Sequence, residues 1–302
     1  MFVIDVPYFS IRQTFFSKQS LLWSRYDRNA DHTRYTIQHK DRLLGVAQRG
    51  NRLILNCDED EFFDYWFAYF DLGTDYMQTN SKVGSLQSFI KDCSDYGSGV
   101  HVINSGAHEA ILTTILLYQQ YVSEAKKLMA WLCENFGVER RKIVSGLGSI
   151  KYYTVPTPEQ IKAKDWLIGE TFYEIDNPTN QDLQNMLTMD LLRMYIDDCC
   201  NGLYNPESVK DFDDEKLLMD LRMWDWLPTE KERKRVMLYG FGRKSIFPMS
   251  DYVAKKIKKH TRIDADIYVD WYLGDSDYKG FAYQYMMYKF INPIERLDKW
   301  VW

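Results

Sequence analysis

Two short segments late in the chain carry residue types able to do covalent or proton-transfer chemistry. The first is Thr229-Glu-Lys-Glu-Arg-Lys-Arg235, followed by the apolar Val236-Met-Leu-Tyr239. The spacing Thr229-x-x-Glu232 predicts a capping box, so a helix opens at Glu230 with Lys231 in its first turn. A lysine that attacks carbon must do so as the neutral amine, in an enclosed and dry position. The positive end of the helix dipole favours that form, whereas Glu230 and Glu232 favour the ammonium. The same run also reads as an ordinary solvated first turn. The second segment is Phe247-Pro-Met-Ser-Asp251, in which Ser250 is a good N-cap for the next helix and Asp251 its first-turn acid.

Other chemistries find little support. The five histidines (32, 39, 101, 108 and 260) show no zinc-like spacing, and the five cysteines form no C-x-x-C pair. No metal site is expected. An odd cysteine count, an N-terminus without a basic leader and no apolar run approaching ~18 residues read as a reduced, cytoplasmic chain. The net charge of −5 does not announce a nucleic-acid binder. Acidic proteins still focus local basic faces, and Lys231, Arg233, Lys234, Arg235, Arg243, Lys244, Lys255, Lys256, Lys258 and Lys259 form a candidate.

The elements that position these residues fall into two regions. The early chain alternates like a sheet: residues 33–38, 43–48 and 52–56 are short β-favouring runs split by turn residues, an antiparallel meander. Asp58-Glu-Asp-Glu61 then loads acid onto a helix over 61–70, whose apolar stripe is Phe62, Trp66, Phe67 and Phe70. Beyond about residue 107 the pattern is helical, over 109–120, 122–136, 157–164, 180–200, 206–211, 213–224, 230–240, 251–260, 264–273 and 278–290. Residues 138–156 are less regular, extended at 151–156. The glycines at 73, 84, 97 and 99 loosen the chain between the regions. The fold class is therefore α+β, with an antiparallel β domain and closing helix over 1–80 and a helical body over 81–302.

Several blocks together resemble the 8-oxoguanine DNA glycosylases of the helix-hairpin-helix superfamily. Trp66-Phe-Ala-Tyr-Phe-Asp-Leu-Gly-Thr-Asp-Tyr76 is similar to the family's Trp-x-x-Tyr-Phe-Asp-Leu-x-x-Asp-Tyr and is the most specific match. Gln19-Ser-Leu-Leu-Trp23, Gly99-Val-His-Val-Ile103, Tyr153-Thr-Val-Pro-Thr-Pro-Glu-Gln160 and Gly280-Phe-Ala-Tyr-Gln-Tyr-Met-Met287 follow in family order. Lys231 falls where the family's Schiff-base lysine stands, seventeen residues before Pro248.

The resemblance implies a DNA glycosylase, with or without abasic-site lyase activity, acting on damaged or modified DNA, duplex or single-stranded, by flipping a base and needing no cofactor. It places Lys231 as nucleophile, and Ser250 where the family has its aspartate; Asp251 could stand in if the turn slipped by one residue. It places Arg235, Tyr283, Met287, Gln119 and Gln120 in the pocket, at positions the family fills with other residue types. With so many readers replaced, the base is not expected to be plain 8-oxoguanine. The hairpin glycines that approach a phosphate are absent, and Trp226-Leu-Pro-Thr229 stands in their place. Gly146-Leu-Gly148 is no substitute, since no helix opens after it. The second reading is a non-catalytic protein of the same fold that binds DNA or nucleosides, and the third is a glycosidase for a modified nucleoside.

Overall fold

The computed structural model describes residues 1–27, 34–164, 178–274 and 276–292. Strands β1 (Phe2–Asp5), β2 (Trp23–Asp27), β3 (Arg34–His39), β4 (Arg42–Arg49) and β5 (Arg52–Leu55) form one antiparallel sheet, ordered β1-β5-β4-β3-β2. The expected meander is its centre. Alternation on β3 buries Tyr35, Ile37 and His39, and pairing Thr36 opposite Gly45 fixes the register. Helix α1 (Ile11–Phe16), between β1 and β2, is too short to show a helical period in sequence.

Asp58 caps α2 (Glu59–Glu61), which runs through a π-helical turn over Phe62–Trp66 into α3 (Phe67–Tyr69). The wider turn rotates the stripe. Phe62, Trp66, Tyr69 and Phe70 face the sheet core, and Phe67 lies at its margin.

The glycine-bearing stretch after it is helical: α4 (Tyr76–Leu86) and α5 (Ser88–Tyr96). Then come α6 (Ala107–Leu117) and α7 (Val122–Phe136). Helix α6 starts earlier than its apolar period suggested, at Gly106 (φ +71°), and ends before Gln119 (φ +55°). The irregular 138–156 region is a hairpin of β6 (Glu139–Val144) and β7 (Gly148–Tyr153), and Gly146 and Gly148 supply its positive-φ turn. Helices α8 (Pro158–Ala163), α9 (Asn180–Cys200), α10 (Pro206–Val209), α11 (Asp214–Arg222), α12 (Glu230–Gly240), α13 (Asp251–Thr261), α14 (Ala265–Tyr272) and α15 (Lys279–Ile291) complete the body.

Helix α12 lies between two apolar cores. Val236 and Met237 pack with α6, α7, α9 and α11, while Leu238 and Tyr239 pack with α4, α5, α13, α14 and α15. Two glycines let its neighbours approach. A Cβ on Gly240 would lie 2.9 Å from Ala110 Cβ on α6, and one on Gly280 of α15 would lie 2.9 Å from the Lys244 carbonyl. The segment 66–76 joins the sheet to this frame: Asp71 accepts from the Tyr76 hydroxyl at 2.8 Å and meets Lys244 Nζ at 3.1 Å.

Candidate active site

Thr229 is extended, and α12 begins at Glu230, as its sequence predicts. The capping box takes another form. The Thr229 hydroxyl makes no bond to the backbone of α12; it donates to Glu232 Oε2. The other oxygen, Oε1, lies 2.7 Å from Lys231 Nζ. Glu232 is only 3% exposed, whereas the Lys231 side chain is 43% exposed. The amine therefore does not stand alone in an enclosed recess, and an attack on carbon would need its carboxylate contact released. Glu230 faces away and binds Lys234 and Arg222, each at 2.8 Å; these contacts hold its carboxyl down to about 2.

One turn along, the Arg235 guanidinium lies 5.2 Å from the centre of the Tyr239 ring, and its buried Nη2 has no hydrogen-bond partner among the described residues. Tyr283 comes from α15 and is 3% exposed. Burial holds its hydroxyl proton tightly; the Arg235 charge opposes that effect and the Glu232 charge adds to it. The docking of α15 through Gly280, whose N–H donates to the Lys244 carbonyl at 2.7 Å, brings this tyrosine to α12. Next to it is Gln284, which the sequence reading passed over. It is fully buried, its Oε1 accepts from the Tyr239 hydroxyl, and its Nε2 has no hydrogen-bond partner among the described residues. The one signal for it was a polar residue inside the apolar face of a helix.

The remaining candidates lie elsewhere on the frame. Ser250 caps α13 by accepting from Val253 N–H at 3.3 Å, so the turn does not slip and Asp251 stays an exposed first-turn acid. Met287 is half-buried against the α4–α5–α15 core. Gln119 is exposed on the α6–α7 turn, while Gln120 is tied to α9, bonding Asn185 at 3.0 Å, Thr188 at 3.2 Å and Gln181 at 2.7 Å. The expected basic face is also smaller than its count. Arg243 donates to the Lys210 and Phe212 carbonyls, and Lys244 is taken up by Asp71 and the Val102 carbonyl at 3.2 Å.

A further polar group, unread in the sequence, sits beneath the start of α6. Glu109 is 2% exposed, with Oε2 3.7 Å from His39 Nε2. Burial pushes its carboxyl up to about 8 and the His39 imidazole down to about 4. Among the described residues, no group of three or more His, Cys, Asp or Glu is placed to hold a metal ion.

Residues 1–111 match the sequence profile of the 8-oxoguanine DNA glycosylase N-terminal domain. The chain superposes on MBOgg1, solved with a low-affinity DNA ligand, at TM-score 0.80 and 22% identity, over 95% of this chain and 94% of that one. The fold is that of the 8-oxoguanine DNA glycosylases. The Clostridium acetobutylicum 8-oxoguanine glycosylase/lyase in its apo form gives TM-score 0.78 at 22% identity, over 95% of both chains. The 3-methyladenine DNA glycosylase of Archaeoglobus fulgidus gives 0.67 at 16%, over 97% of this chain and 100% of that one. No curated protein matches by sequence. In this glycosylase fold, no helix among the described residues is long and apolar enough to cross a membrane.

Proposed function

We propose that this protein is a DNA glycosylase that flips an altered base other than plain 8-oxoguanine and releases it with Glu232 as the site's carboxylate. The carrying observation is Glu232 itself, a buried acid on the first turn of α12, held between the Thr229 hydroxyl and the Lys231 ammonium. Breaking an N-glycosidic bond builds positive charge on the sugar C1′, and a fixed carboxylate in a low-dielectric site stabilises it. Ser250 cannot do so, having no charge. Water then adds to C1′, and its proton leaves with the base. Arg235, Tyr283 and the unsatisfied amide of Gln284 are polar groups for reading a base edge. Two of the similar structures are named as 8-oxoguanine and 3-methyladenine glycosylases, which supports DNA as the partner.

The test is excision from duplexes carrying a panel of altered bases. The native chain is expected to release at least one of them, and Glu232→Gln to lose about 100-fold or more in single-turnover rate, the scale of a removed charge-stabilising group. Equal rates in native and Glu232→Gln would end the assignment to Glu232. Borohydride trapping on an abasic duplex reads the lyase branch: an adduct absent from Lys231→Ala assigns Lys231 as its nucleophile. The observation favouring a non-catalytic binder is the burial of Tyr283 where the pocket should open. Tight binding without release of any base in the panel would support that second reading.

A further inference from the structure

Two lysines far apart in sequence share one aromatic platform. Lys18, just after α1, places Nζ 5.5 Å from the centre of the Phe15 ring and 5.7 Å from that of Phe16. Lys126, in the second turn of α7, places Nζ 5.6 Å from the same Phe15 ring and donates to the Trp23 carbonyl at 3.1 Å. Among the described residues neither amine has a carboxylate within 4 Å. Next door, Lys127 is paired with Glu124 at 2.8 Å, three residues back on the same helix. Lys126, two residues from Glu124 on the same helix, faces away from it. Lys18 also holds φ +60°, a left-handed conformation that costs a non-glycine residue free energy and that tends to persist where a site needs it.

Two like charges set against one aromatic ring, with no carboxylate within 4 Å of either among the described residues, repel one another and give up solvation. An anion arriving between them removes both penalties. We propose that Lys18 and Lys126 form a paired-amine site that holds one backbone phosphate of DNA; the identity of the phosphate rests on the DNA-acting reading above. The aromatic platform fixes both stems, so little side-chain freedom is left to lose on binding. Burial lowers the affinity of both amines for their protons, and the Lys18 charge adds to this at Lys126, whose amine falls to about 8. That is the condition of cations awaiting an anion.

The experiment is fluorescence anisotropy of the full chain on a labelled duplex across a salt series. The variants are Lys18→Met/Lys126→Met, which keeps the apolar stems, and Lys126→Arg, which keeps the charge. The double variant is expected to bind at least about tenfold more weakly at low salt, with a log–log salt slope shallower by about one. Lys126→Arg is expected to stay near native. Native affinity and slope in the double variant would overturn the proposal, and so would an equal loss in Lys126→Arg, which would mark packing rather than charge. Should the native chain bind no DNA, the DNA reading fails on its own. Broadening of the inorganic phosphate ³¹P resonance then decides the site: broadening by native protein that the double variant loses keeps the anion site, and none with native protein overturns it.

Discussion

Glu109 and His39 lie 3.7 Å apart, and each is shifted towards its neutral form by burial. An unfolded glutamate releases its proton near 4.5, whereas folded Glu109 keeps it to about 8. Between those values the folded chain binds the extra proton, so stability falls as pH rises. His39 works on the acid side: unfolded histidine takes a proton near 6.5 and folded His39 only near 4, so stability falls as pH drops between them. Glu109→Gln is expected to raise the melting temperature at pH 8 by the equivalent of at least about 1 kcal/mol, roughly 2–4 °C, with a smaller gain at pH 5. Parallel calorimetric curves for native and variant across that range would refute it. None of this was legible in sequence, where Glu109 looks like a common first-turn acid. The first-turn place of Lys231 on α12 was legible from the Thr229-x-x-Glu232 spacing, although the cap bond itself does not form, whereas the burial of its partner Glu232 was not legible. That burial depends on helices that the chain reaches only later.

At the scale of elements, long periodic helices such as α7 and α9 were readable because their apolar spacing persists over several turns. Helices α4 and α5 were not, since Gly84 and Gly97 look like breaks. In the fold Gly84 sits inside α4, with Lys91 and Ser94 side-chain atoms 3.4 Å from where a Cβ would be. Gly84→Ala is therefore expected to be neutral or to add up to about 1 kcal/mol through helix propensity. Gly280→Ala should act in the opposite direction. Its methyl would meet Leu238 Cδ1 at 2.5 Å and the Lys244 carbonyl at 2.9 Å, pushing α15 off α12 at a cost of about 1–3 kcal/mol. Denaturant midpoints compare the two directly. A Gly280→Ala midpoint equal to native would mean that α15 can shift freely and that Tyr283 is not held in place by that contact. Residues 138–156 look irregular in sequence because β6 and β7 lack strict alternation, although the extended reading at 151–156 overlaps the end of β7.

Over the whole molecule, the net charge of −5 leaves the proposed DNA binding to whichever cations the fold does not consume. On and just after α12 it consumes most of them: Lys231 and Lys234 meet carboxylates, and Arg243 and Lys244 tie loops together. Helix α13 differs. Lys255, Lys258 and Lys259 are exposed, and only Lys258 has a carboxylate within 4 Å among the described residues, Asp264 at 3.9 Å. Lys255 and Lys259, four residues apart, share one helical face, so their fields add. This part of the expected basic face survives folding and offers long-range attraction to a phosphate backbone. Reversing both, as Lys255→Glu/Lys259→Glu, is expected to weaken duplex binding at low salt and to flatten the salt slope by up to about two, with thermal stability nearly unchanged. An unaltered slope would place the DNA on another face. It would then leave the amines over Phe15 as the cations that fix how the duplex approaches the first turn of α12.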